Sequence, residues 1–84
     1  MDMREYLSDF LEEAIFYDGL DEAIIGYGER CGLSVVLYDA IKCMELFVKN
    51  DGMTEEEAVE HFEYNILGAY LGEHTPICCY LDTE

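Results

Sequence analysis

Apolar residues recur at steps of three and four through much of the chain, and in two short places they run continuously. Met3, Tyr6, Leu7, Phe10, Leu11, Ala14 and Tyr17 make the first stripe, which predicts an amphipathic helix over 1–17 closed by Gly19. Leu20, Ala23, Ile24, Tyr27, Gly28 and Cys31 share a second helical face, from an Asp21 N-cap to a Gly32 stop. Read as a strand, the same stretch puts Ile24, Gly26 and Gly28 on one face against Ile25, Tyr27 and Glu29, which is no coherent alternation. Two interior glycines cost a helix about 1 kcal/mol each against alanine. In return, Gly28 on the buried face lets a neighbouring element approach closely. The helical reading is preferred.

"SVVLY" at 34–38 is β-branched and apolar, enough for one strand. Asp39 then caps a helix from Ala40 to about Lys49, and its wide apolar arc (Ala40, Ile41, Cys43, Met44, Phe47, Val48) makes it the most buried helix. "NDG" at 50–52 ends it. Thr54 and Glu57 have capping-box spacing, with Met53 placed to staple against Ala58. That last helix is expected to reach Leu71 and to bury Ala58, Val59, Phe62, Ile66, Ala69 and Tyr70. Ile77–Leu81 reads as a second strand. The pattern predicts a mainly α single domain over 1–84: four short helices packed orthogonally, with a two-stranded β ribbon joining 34–38 to 77–81. The alternative makes 23–28 a third strand, giving an α+β fold with a three-stranded sheet.

Charge changes the picture more than composition does. Twenty acidic residues face four basic ones, a formal net charge of −16 on 84 residues. Such a chain is steered toward cationic surfaces. Direct nucleic-acid binding needs a basic footprint and is excluded, as is docking on anionic membranes. A hydrophobic fraction of 51% still supplies a core, so the charge does not imply disorder. No run approaches transmembrane length, and Met1–Asp2–Met3–Arg4 leads into mixed acidic and apolar residues. Cys31, Cys43, Cys78 and Cys79 contain no C-x-x-C pair. The expectation is a cytoplasmic protein with reduced, structural thiols.

Three chemical motifs are approached and missed. "GYGERCG" lacks the third glycine of a dinucleotide loop, having Cys31 there, and closes a helix rather than opening one. "KNDGMTEEE" fails as a calcium loop: alignment on Gly52 puts Phe47 and Lys49 at ligand positions and Ala58 at the bidentate one. His61 stands one turn after Glu57, yet neither H-E-x-x-H nor Glu-x-x-His is present, and His74 lies in a loop. No nucleophile, base and oxyanion donor assemble, so neither an enzyme nor a cofactor or metal is expected.

What is left is the carboxylates. Asp2, Glu5, Asp9 and Glu12 make a row on the first predicted helix, and Glu56, Glu57, Glu60 and Glu63 make one on the last. Neighbours at such spacing lie about 5–6 Å apart, close to the separation of successive phosphates, and like-charge pairs destabilise a helix. These eight residues are the candidate partner-binding site, offered to a cationic surface as an imitation of nucleic acid. The plainer reading is a solvated acidic face that keeps the protein soluble.

"AIIGYGERCG", "VVLYD" and above all "DGMTEEEAVEHFEYNILGAYLGEHTP" resemble a family of small phage-associated proteins with no known activity. The resemblance covers roughly residues 20–81, leaving 1–18 as a helical N-terminal extension. It implies a phage or mobile-element context and the host cytoplasm, where small acidic proteins act on host defence or transcription machinery. It transfers no catalytic residue. The function expected is a non-enzymatic protein that binds a basic host protein and inhibits a nucleic-acid-directed defence system by DNA or RNA mimicry. The alternative is a self-associating accessory module, a homodimer built on the off-face residues Ile15, Phe16, Ile25 and Leu67.

Overall fold

Ile24–Arg30 is a β-strand rather than a helix, and that one change sets the architecture. In the computed structural model, which describes residues 3–81, the elements begin with α1 (Met3–Phe10), a 3-10 turn (Asp21–Ala23) and β1 (Ile24–Arg30). There follow β2 (Leu33–Asp39), α2 (Ala40–Asp51), α3 (Glu55–Phe62), a π turn (Glu63–Leu67) and β3 (Ile77–Cys79). The sheet order is β1-β2-β3, with β1 antiparallel and β3 parallel to the central β2. The described residues thus form an α+β fold with three α-helices and a mixed three-stranded sheet. This overturns the mainly α reading with four helices and a two-stranded ribbon, and the third strand lies where the alternative put it.

A β-bulge explains why alternation failed at β1. Ile24 pairs with Tyr38 and Gly26 with Leu37, so Ile25 is the extra residue between them. The bulge lets Ile24 enter the core while Tyr27 and Glu29 face outward. Gly26 carries it at φ +149°, a conformation that L side chains rarely adopt. Cys31 and Gly32 both have positive φ (53° and 79°) between paired Arg30 and Leu33, the pattern of a two-residue type I′ hairpin turn. Gly32 is left-handed as expected, but it turns a hairpin instead of stopping a helix. Gly28 is not needed for close approach either: a Cβ there would meet the Leu37 side chain at an ordinary 3.6 Å.

β2 is the structural centre. Val35, Val36 and Tyr38 are all buried, as expected of a middle strand covered on both faces. It passes directly into α2, where the Asp39 carboxylate accepts from the backbone N–H groups of Ile41 (3.1 Å) and Lys42 (3.2 Å). Gly52, left-handed at φ 71°, ends α2 with its N–H donating to the Phe47 carbonyl. The expected capping box opens α3: Thr54 N–H donates to the Glu57 carboxylate at 2.9 Å, and Glu57 N–H donates to the Thr54 hydroxyl at 3.1 Å. α2 buries Ala40, Cys43, Leu46 and Phe47, whereas Ile41 and Val48 stay exposed.

Two predicted helices are shorter than their patterns. α1 ends at Phe10, and Leu11, Ala14 and Tyr17 reach the core from irregular chain. α3 ends at Phe62 and widens into the π turn, where Gly68 N–H donates to the Glu63 carbonyl at 3.1 Å. A five-residue turn breaks the 3.6-residue period, so Tyr70 beyond it is exposed instead of buried, and Val59 is exposed on α3 itself. Tyr38, Phe62, Leu7, Val36 and Cys43 are the largest fully buried side chains, and they join α1, β2, α2 and α3 in one core. β3 is only three residues long, shorter than the predicted 77–81.

Candidate functional site

The first carboxylate row straddles the end of α1. Asp2 lies outside the described residues; Glu5 and Asp9 are exposed on α1, and Glu12 is exposed in the turn beyond it. The structure draws Asp9 and Glu12 together with Glu13 around a shallow groove of about 360 Å³ that Phe10, Ser34 and His74 also line. His74 fixes this arrangement across the chain. Its Nδ1 lies 3.1 Å from the Ser34 carbonyl oxygen, and its Nε2 lies 2.9 Å from a Glu13 carboxylate oxygen. Both nitrogens face acceptors, so a ring carrying both protons donates twice and clasps residue 13 to β2.

The second row is built differently. Glu56 and Glu60 are exposed on α3, and Glu63 is exposed where the π turn begins. Glu57 is committed to the capping box, so part of its hydrogen-bonding capacity serves the helix end. Glu57 and Glu60 flank a groove of about 350 Å³ with His61, Tyr64 and Asn65. His61 is held in place, its ring edge-on to Phe47 at 4.7 Å and its Nδ1 accepting from the Asn65 amide at 3.1 Å.

The rows stand on elements with different neighbours: α1 packs on β1, and α3 packs on α2. Arg4 pairs with Asp21 (3.1 Å) and reaches Asp18 (4.0 Å), and His74 pairs with Glu13. Among the described residues no cation is paired with Asp9, Glu12, Glu56, Glu60 or Glu63. Exposure to water makes the resulting like-charge repulsion tolerable, and salt screens it further.

The thiols are spread through the fold and unbridged. Cys31 is exposed at the hairpin turn, Cys43 is buried, and Cys78 and Cys79 are half-buried on β3. Burial pushes the Cys43 thiol up to about 12, and burial followed by the neighbouring Cys79 pushes Cys78 up to about 11. Both are protonated, and so poor nucleophiles, at neutral pH. Among the described residues no group of three or more His, Cys, Asp or Glu side chains is placed to hold a metal ion. No described helix is long and apolar enough to cross a membrane.

Sequence pattern does not single out Glu13, gives His74 only as a loop residue, and places Tyr6 and Phe10 in an apolar stripe and not on an exposed surface. The contact between residues 13 and 74 has no local signal. Tyr6 and Phe10 do show helical spacing, but spacing alone does not tell which apolar residues a small fold leaves uncovered. No protein-family model matches the chain, and neither a curated protein nor a solved structure matches it.

Proposed function

We propose that this chain is a non-enzymatic acidic protein of phage type that binds a host protein through its carboxylate rows. The partner presents a basic surface that ordinarily contacts nucleic acid, and the chain inhibits a nucleic-acid-directed defence system by occupying that surface. The observation that carries this reading is the exposure of Asp9, Glu12, Glu56, Glu60 and Glu63 without a described cation paired to any of them, in a chain of net charge −16. A partner's lysines and arginines would relieve the repulsion within each row, giving an association that is fast and steeply salt-dependent.

The test is capture of the partner from a host lysate by the wild-type chain and by a Glu56→Lys/Glu60→Lys/Glu63→Lys variant. Competition of the captured partner with duplex DNA and with RNA then follows. The reading requires a partner that the variant loses and that nucleic acid displaces. A partner retained by the variant and indifferent to nucleic acid contradicts it.

A second reading, self-association, is favoured by a different observation. Ile41, Val48 and Val59 are exposed around one apolar groove of about 340 Å³ between α2 and α3. Of the residues expected to form such a patch, Ile25 and Leu67 are exposed and Ile15 is half-buried, whereas Phe16 packs against the core. A dimer on the groove would survive high salt and charge reversal on α3, which separates the two readings.

A further inference from the structure

The α3 row has the single exposed ring of Tyr64 beside it, and the α1 row has a set of three in contact. Tyr6 and Phe10 lie one turn apart on α1 with ring centroids 5.1 Å apart, edge to face, and Phe10 meets Tyr27 of β1 the same way at 5.2 Å. These rings remain 52%, 43% and 43% exposed in the order Tyr6, Phe10, Tyr27. They form a short aromatic ladder from helix to sheet, and Phe10 at its centre also lines the groove with Asp9, Glu12 and Glu13.

Aromatic faces carry negative potential and attract guanidinium and ammonium groups. A carboxylate beside the ring adds a charge-assisted hydrogen bond to the same cation. The protein builds this three-part arrangement once with a cation of its own. Arg4 lies 5.1 Å over the Phe16 ring and donates to Asp21 at 3.1 Å. At the ladder, Asp9 and Phe10 line one groove, and no described cation lies over Tyr6, Phe10 or Tyr27.

We propose that the Tyr6–Phe10–Tyr27 ladder with Asp9 is a docking surface for an arginine-bearing segment of a partner protein, its guanidinium stacked on a ring and hydrogen-bonded to the carboxylate. The inference rests on the cationic-partner reading and adds that this end of the molecule distinguishes arginine from lysine. A planar guanidinium stacks and donates in a fixed fork, whereas an ammonium is a compact, strongly hydrated point charge. A second copy of the chain is the poorer occupant, since it would bring another −16 against this face.

The test uses two peptides of equal length and charge, one of arginine and glycine and one of lysine and glycine. Each is titrated at physiological salt into the full-length, 15N-labelled protein. The arginine peptide is expected to bind roughly 5-fold tighter, with the largest shift changes at residues 6, 10 and 27. A Tyr6→Leu/Tyr27→Leu variant is expected to bring the two affinities within about 2-fold, and Tyr6→Phe/Tyr27→Phe to keep the preference. The Phe variants and the shift map carry the test should the leucine variant not fold. Equal affinities for the wild type, or a preference unchanged in a folded leucine variant, overturn the ladder proposal and leave the cationic-partner reading standing. Failure of both peptides to bind contradicts both readings.

Discussion

Glu56 and Glu60 ride on a helix whose start is fixed by Thr54 and whose underside is pinned by the fully buried Phe62, and Glu63 follows in the π turn that continues it. Glu5 and Asp9 lie on α1, and their row runs on into an irregular turn at Glu12. This helix and the turn after it are held by contacts from far along the chain: Arg4 to Asp21 and Phe10 to Tyr27 from the helix, and Glu13 to His74 from the turn. The α3 row is thus a local product of sequence, presenting charge at regular spacing. The α1 row is a tertiary product, and its surroundings add aromatic faces to the charge. On the proposed reading, the α3 row offers charge beside one exposed ring, Tyr64, whereas the α1 row offers charge beside a ladder of three.

The broadest way to break this comparison is to remove the core that both rows share. The Tyr38 hydroxyl is pushed up to about 12 and the Cys43 thiol to about 12, in both cases chiefly by burial, against usual values of 10.0 and 9.0. Each group keeps its proton longer in the folded chain than in the unfolded one. Their protonated, buried state favours folding fully below about pH 9, and stability falls as pH rises toward 12. Circular dichroism followed across that range should show the helical signal lost in a single transition. Phe62→Ala is next in size, expected to destabilise the fold by about 3–5 kcal/mol, read from the urea midpoint. Its effect should be greatest in amide protection along α3.

Sharper tests act on one row at a time. Thr54→Ala removes half of the capping box and should cost about 1 kcal/mol, with fraying confined to the first turn of α3. Contacts at Tyr6, Phe10 and Tyr27, followed by their chemical shifts, should not move. His74→Phe is the converse and the smallest change, worth about 0.2–1 kcal/mol for a pair whose carboxylate is exposed. It should release residues 11–14 in hydrogen exchange while leaving 55–62 protected.

The same division between local and long-range causes explains what could be read from the sequence. β2, the Asp39 cap, the Gly52 stop and the Thr54–Glu57 box each rest on adjacent residues, and each lies where its signal placed it. β1 is hidden in the sequence because the bulge at Ile25 shifts alternation by one residue just after the strand begins. Gly26, costly in a helix, serves that bulge, and Gly32 serves a hairpin turn. α3 overran because the π turn after Phe62 keeps an apolar stripe in sequence while rotating it out of the core. Of the candidate site, the exposed carboxylates at 9, 12, 56, 60 and 63 were legible as a pattern. The groove with His74 and the aromatic ladder were not, since both depend on residues brought together by the sheet.

If the carboxylate rows bind a cationic protein surface as proposed, affinity for the captured partner must depend on salt and on those charges. It is measured across a salt series for the wild type and for the Glu56→Lys/Glu60→Lys/Glu63→Lys variant. The expected result is a steep fall in wild-type affinity as salt rises and loss of binding in the variant even at low salt. An affinity that is flat across the series, or a variant that binds as the wild type does, would contradict it.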